Sequence, residues 1–520
     1  MTALAAYFAL SWLVVGAGAE APVIDDWVYA SSVERLVTAR RLQVLEFSAI
    51  YPLAQIAWGA LFAAVAGFSF ATLRFSTVVL SLIGCWAVYL TIRELGCRWS
   101  TCLLGAFALA LHPVFFAFSF TFMTDGPFAS ISAMAVFFYV SAVRRERWTR
   151  LWAGGALAVV AFLIRPIGIA LPLTVVPALM FRPQWRVVAR QAALPIALPM
   201  LTMAALQVVV PRALGALDWQ AMRAEQLRWV FSIPLATYAV WTIRVVLEAV
   251  FPFAPLLLAS MVRWRHALAV VVVALVLVVP MQRLRGEILT PLPDWQTWSL
   301  QDIGARSLIA GDVPASAWSA RAMPMLRGLG LVTLAGLLLA CGRGLARRSG
   351  LAVPSVLVAH VVLLLGATHV LWLYNDRYYL VFAPALAVLA AVALDHDSRA
   401  QWAAAAALSV WAAIGITGTR DLLAYNEAGA QAARQLEASG IPPWEIDAGY
   451  PLNGWRLYAH PGRMKPGTDP QYDVPFVTSG GSAPYVIANH PMPGTDVIRV
   501  VPLPRATWQA SRELYVLKRR

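Results

Sequence analysis

Charge is what this sequence has least of: 13% of its 520 residues are Asp, Glu, Lys or Arg, against 60% hydrophobic, with a mean hydropathy of +0.67. Soluble domains of roughly 150 residues each would need far more polar surface, so a soluble chain is excluded. Lysine is nearly missing, since 39 of the 41 basic residues are arginine, and the net charge of +14 is scattered in small groups. No basic stripe with interleaved aromatics forms, which argues against nucleic acid and for membrane orientation. The four cysteines, Cys85, Cys97, Cys102 and Cys341, sit in or beside apolar runs without CxxC or His/Cys ligand spacing. A disulfide framework and a structural zinc site are thereby disfavoured. There is no internal repeat and no Gly-rich phosphate loop. The first apolar run lacks a basic n-region, so it reads as a span and not as a cleaved signal.

What the chain has instead is apolar runs near the length that crosses ~30 Å of hydrocarbon. Thirteen are accepted as spans: 1–19, 73–93, 101–119, 127–143, 151–164, 167–181, 190–210, 236–260, 267–280, 326–341, 351–373, 380–394 and 401–419. If residue 1 is cytoplasmic, Arg93 and Arg98, the Arg144 to Arg150 group, the Arg182 to Arg190 group, Arg263 and Arg265, the Arg343 to Arg348 group and Arg399 share that side. That is the positive-inside pattern. The run 49–66 is long enough to span but is broken by Pro52, Gln55 and Gly59, and composition alone leaves its path open.

From residue 420 the composition changes, the last 101 residues holding 20 of the 68 charges and 12 of the 33 prolines. A helix over 422–439 closed by Gly440, then strand-like runs at 444–450, 484–489, 497–502 and 513–518, predict a small α/β or α+β domain. After thirteen spans it would lie outside the cytoplasm.

Few residues outside that tail can do chemistry. Asp25 and Asp26 follow the first span, and neighbouring carboxylates at a low-dielectric boundary repel, which suits a general base or a cation site. A solvated acidic loop is the plain alternative. Asp125, in SFTFMTDGPFAS, is bracketed by Phe122, Met123 and Phe128, a costly place for an acid without a purpose or partner. The alternative is a helix cap at Thr124 or Asp125 before Pro127. Arg165 and Arg377 lie at span boundaries, where a guanidinium binds phosphate bidentately or merely snorkels. His112, His360 and His369 have no paired ligand at helical spacing and read as core or interfacial side chains. Glu248 is the one acid well inside an apolar run, with Arg244 at helical spacing.

In order along the chain, DDWVYASSVERL (25–36), WGALFAAVAGFSFATLRFSTVV (58–79), ELG (94–96), HPVFFAFSFTFMTDGPF (112–128), LIRPIG (163–168) and NDRYYLVFAPAL (375–386) resemble blocks of polyprenyl-phosphate-sugar-dependent membrane glycosyltransferases of the type C fold. Protein O-mannosyltransferases and the lipid A aminoarabinose transferase belong to that group, glycosyltransferase family 39. The family's acidic doublet is usually Asp-Glu, and here it is Asp25-Asp26. The resemblance implies a polytopic α-helical fold with residues 1–419 as the catalytic membrane part and 420–520 as a periplasmic domain. It puts in-plane helices in a first periplasmic loop over 20–72, which makes 49–66 an in-plane or re-entrant segment. It further implies an inverting transfer in a bacterial inner membrane, from an undecaprenyl-phosphate sugar to a lipid, glycan or protein acceptor on the periplasmic side. Asp25 would be the base, Asp26 would orient the acceptor, and Asp125 would position substrate. Arg165, Arg377 and Tyr378 would bind the donor phosphate. The one cofactor left open is a divalent cation on Asp25 and Asp125. The tail would shape acceptor choice, with Trp444, Tyr450, Trp455 and Tyr458 packing its core or stacking on sugar, and without supplying the base from Glu445 or Asp447. A secondary transporter would instead show midplane acids and two matching halves, and no such symmetry is visible. A non-catalytic assembly protein that keeps the fold is the other alternative.

Overall fold

The computed structural model describes residues 2–45, 48–215, 217, 228, 230–259, 268–276, 317–340, 352–371, 376–395, 397–457, 483–503 and 512–520. Cys341 and Tyr458 lie outside these, as do residues 267 and 277–280 of the run 267–280.

The apolar runs become helices: α1 (Thr2–Val15), α2 (Asp26–Thr38), α3 (Leu53–Ala66), α4 (Phe70–Glu94), α5 (Trp99–Ala110), α6 (Pro113–Ser119), α7 (Asp125–Arg145), α8 (Arg150–Phe162), α9 (Val176–Met180) and α10 (Trp185–Leu214). They continue with α11 (Leu235–Val250), α12 (Ala254–Ala259), α13 (Ala317–Ala340), α14 (Ala352–Leu371), α15 (Ala383–Val392) and α16 (Ser398–Ala438). Among the described residues six helices are long and apolar enough to cross a membrane, or seven if α5 and α6, bent by 69° at Pro113, form one broken span. This is a multi-pass membrane protein. The helix 53–66 has 14 residues, about 21 Å at 1.5 Å per residue, short of the ~30 Å a span needs. The run 167–181 is not one α-helix: Pro166–Val175 winds as a 3-10 helix with Pro172 inside it. Proline there lacks the N–H that an α-helical turn requires.

α4 is fixed at its start by two acceptors. Ser69 Oγ accepts from Thr72 N at 3.0 Å, while Glu20 accepts from Phe70 N at 2.9 Å and Ala71 N at 3.2 Å, placing a carboxylate at the positive end of the helix. Its neighbour α7 approaches so closely that a Cβ on Gly84 would stand 2.6 Å from the Ser130 hydroxyl. Glu248 does not depend on Arg244 alone. It forms a buried ion pair with Arg327 at 3.2 Å, tying α11 to α13, a lock between helices and not a group on an open path.

α16 runs unbroken through residue 420, joining the last apolar run to the expected tail helix. Its 41 residues rise about 60 Å, roughly twice the hydrocarbon thickness, so its second half projects beyond the membrane. Gly440 follows at φ +92°, the conformation that ends the helix. Four strands, β1 (Ile446–Asp447), β2 (Tyr485–Ala488), β3 (Thr495–Pro502) and β4 (Glu513–Arg519), form a sheet in the order β1-β2-β4-β3, antiparallel except for β1 with β2. The strand expected over 444–450 shrinks to two residues, because a 3-10 turn (Pro443–Glu445) precedes it and α17 (Tyr450–Leu457) follows two residues later.

Candidate active site

The approach to Asp25 is held by a fully buried arginine. Arg74 of α4 donates to the carbonyl oxygens of Ala17, Ala19 and Ala21, gathering the loop after α1 around its guanidinium. Ile24 then takes φ +55°, a left-handed conformation that a β-branched residue avoids. Strain of that kind persists only where surrounding contacts over-determine it, and here it aims the next side chain, Asp25.

Asp26 does not face the same space. It is completely buried, and its Oδ1 accepts from Val23 N at 2.7 Å, closing the turn that carries Ile24. The acceptor-orienting role expected of it has no access route, and its position makes it a clamp on the loop. Burial pushes its carboxyl up from 3.8 to about 7, against the pull of Arg74. A carboxyl with a raised value holds its proton more tightly folded than unfolded, so stability falls as pH rises between the two values. Wild type should therefore lose stability relative to Asp26→Asn as pH climbs from about 4 to about 7, with no further divergence above. Thermal unfolding in detergent at pH 4, 5.5, 7 and 8.5 checks this. Parallel curves would show a carboxylate charged throughout.

Asp25, Asp125, Arg165, Arg377 and Tyr378, drawn from four distant stretches of sequence, converge. Arg377 Nη2 lies 3.2 Å from Asp25 Oδ2, and Arg165 Nη2 lies 2.7 Å from Asp125 Oδ1. Both guanidinium groups lie over the Tyr378 ring, with centroid distances of 5.0 Å for Arg165 and 5.1 Å for Arg377. Its hydroxyl accepts from Arg377 Nη2 at 3.2 Å. Thr124, at the N-cap of α7, makes no side-chain cap. Its hydroxyl accepts instead from Arg165 Nε at 2.8 Å, so the TDGP turn serves the arginine. The side chain of Asp125 is fully buried, whereas that of Asp25 is 27% exposed. Of the two carboxylates, that of Asp25 is the partly exposed one.

Two further residues belong to the cluster. Tyr29, one helical turn after Asp25, is buried within electrostatic reach of Asp25, Asp125, Arg165 and Arg377, and burial keeps its phenol protonated. The i,i+4 spacing from Asp25 was the signal for it. Tyr450 of α17 donates to Asp25 Oδ1 at 2.6 Å, a contact across 425 positions that no local pattern announces. Glu445 and Asp447 stay outside the cluster's contacts. Asp447 accepts from Gly449 N at 3.1 Å and Asn453 Nδ2 at 2.8 Å, folding its own turn.

The cation expected on Asp25 and Asp125 does not fit these residues. Each carboxylate already holds an arginine, and among the described residues no three His, Cys, Asp or Glu side chains gather as a ligand set. The histidines are engaged elsewhere: His112 Nδ1 accepts from Phe115 N at 3.3 Å, His360 Nε2 meets Val381 O at 2.8 Å, and His369 Nε2 meets Thr242 Oγ1 at 2.8 Å.

Residues 52–214 match the family model described as dolichyl-phosphate-mannose-protein mannosyltransferase. By this segment the chain is similar to membrane glycosyltransferases that use lipid-linked sugars. The blocks at 58–79, 94–96, 112–128 and 163–168 lie inside it, and there the resemblance is borne out. No curated protein matches the chain. Among solved structures, ArnT from Cupriavidus metallidurans bound to undecaprenyl phosphate is 14% identical, with 99% of this chain and 97% of that chain covered at a TM-score of 0.49. The oligosaccharyltransferase AglB from Archaeoglobus fulgidus, in complex with an inhibitory peptide and a dolichol-phosphate, is 14% identical, with 84% of this chain and 58% of that chain covered at 0.44.

Proposed function

We propose that the chain is an inverting glycosyltransferase of the type C fold with about thirteen spans in a bacterial inner membrane. It would transfer a sugar from undecaprenyl phosphate to a hydroxyl or phosphate of a periplasmic lipid, glycan or protein. Residues 1–419 form the catalytic part and 420–520 a periplasmic domain. The observation that carries this reading is the convergence of the pairs Asp25–Arg377 and Asp125–Arg165 on the Tyr378 ring. It supplies a partly exposed base beside two guanidinium groups.

The charges suit the reaction. Two carboxylates balance two guanidinium groups at rest, so the cluster holds no strong excess charge. The acceptor oxygen attacks the anomeric carbon as its proton passes to Asp25, and the bond from that carbon to the phosphate oxygen breaks. Protonation cancels the Asp25 charge. Arg377 is then uncompensated at the moment the lipid phosphate gains its second charge, an electrostatic gain confined to the transition state and product. Asp125, buried and held by Arg165, keeps that second guanidinium in place.

A groove of about 480 Å³, lined by Leu173, Val176, Pro177, Val358, Ala359 and Val362, supports a lipid donor. It lies between the segment that follows Arg165 and the helix α14 that precedes Arg377, and its apolar lining suits a polyprenyl chain.

The test is donor dependence in proteoliposomes with a polyprenyl-phosphate sugar. Arg377→Ala should raise the apparent donor KM about tenfold or more, and Arg377→Lys should raise it less, since lysine keeps the charge and loses the fork. An unchanged donor dependence in both variants would return Arg377 to a snorkelling role and remove the main support for the reading.

A further inference from the structure

The base proposed above is held by one side chain of the membrane part, Arg377, and by one from outside it, Tyr450. Asp25 Oδ2 is taken by Arg377, and Oδ1 receives the Tyr450 hydroxyl at 2.6 Å. Resting on the reading of Asp25 as base, we infer that Tyr450 is a positioning residue of the active site. The C-terminal part thus completes the catalytic centre, beyond any effect on acceptor choice.

The contact is built and not incidental. α17 packs its Tyr450 ring edge-on against Trp27, 6.0 Å between centroids, and Trp27 is fully buried two residues from Asp25. Gly454 makes this possible, because a Cβ there would stand 2.3 Å from the Trp27 ring. One residue on, Trp455 stacks on Phe68 at 5.9 Å and meets Phe70 edge-on at 5.0 Å, anchoring α17 to the start of α4. From the other side, Asn453 Oδ1 accepts from Ala448 N at 2.9 Å and its Nδ2 donates to Asp447 at 2.8 Å. Arg456 pairs with Glu437 of α16. The helix that delivers Tyr450 is therefore fixed both to the Asp25 loop and to its own sheet and stalk.

Chemically, a carboxylate that must accept a proton from an attacking hydroxyl has to keep one oxygen turned toward the acceptor. Arg377 alone leaves rotation about the Cβ–Cγ bond free. A second donor on the other oxygen fixes the carboxylate plane, and burial raises the phenol so that it remains that donor and does not compete as a base. Oδ1 keeps a lone pair for the acceptor beside Tyr450.

Tyr450→Phe removes the hydroxyl and keeps the ring against Trp27. The expected result is a kcat reduced at least about tenfold, with donor KM, acceptor KM and thermal midpoint near wild type. Gly454→Ala, which drives α17 off Trp27 without touching the hydroxyl, should lower kcat as well, and in the Tyr450→Phe background it should add little. Asp25→Asn in the same assay separates the two levels. If Asp25→Asn is inactive while Tyr450→Phe keeps kcat within about twofold, the positioning role is overturned and the base assignment stands. If Asp25→Asn is active, the base assignment falls first. Additive losses in the Tyr450/Gly454 pair would also overturn the inference, since α17 would then act by another route.

Discussion

Asp25→Asn is expected to reduce transfer by about 10²- to 10⁴-fold, the range that a positioned general base contributes. The substitution keeps the side-chain volume and leaves an oxygen to meet Arg377 or the Tyr450 hydroxyl, so the loop held by Arg74 should stay folded. What it removes is proton acceptance, and with it the release of Arg377 toward the departing phosphate. The loss should therefore appear in kcat, with donor KM changed little, in proteoliposomes supplied with lipid-linked sugar. Retention of more than about a tenth of the wild-type rate would take the base role from Asp25.

Asp125→Asn should be the next most severe change, and should act on stability as well as rate. Arg165, with 13% of its side chain exposed, would keep a neutral acceptor but lose the countercharge 2.7 Å away. Leaving one member of a buried pair uncompensated costs about 3 kcal/mol or more. Transfer should fall about a hundredfold, because Arg165 would be held against the Tyr378 ring without its countercharge. The double variant Asp125→Asn with Arg165→Gln should recover much of the thermal stability, since no lone charge remains, and should recover no activity. If the double variant regained transfer, the pair would be a structural lock like Glu248–Arg327 and not part of a phosphate site.

The sequence by itself determined the class of solvent and the pieces. Scarce charge and repeated apolar runs fix a multi-pass helical chain, because an unpaired backbone cannot be left in hydrocarbon and a helix satisfies its own. Asp25, Asp125, Arg165 and Arg377 were legible for the same reason: a charge at a membrane boundary is costly enough to be conspicuous among apolar neighbours. The later strands were readable as runs of β-formers between turn residues, and Gly440 as a stop.

What the sequence could not decide was who meets whom. Asp25 and Asp26 are adjacent and chemically alike, yet one is partly exposed between Arg377 and Tyr450 while the other is sealed against Val23 N and Arg74. The left-handed turn at Ile24 sends them to different places, and only tertiary contacts hold such a turn. The break at Pro166 was legible, but period and composition hid the 3-10 winding inside the run 167–181, where hydropathy continues past Pro172. They also hid the continuity of α16 through residue 420, where composition changes but helix-forming residues do not. Tyr450 reads locally as one more aromatic of a small core. Its place on Asp25 depends on a helix docked by Gly454 and Trp455, a matter of shape between parts of the chain 425 residues apart.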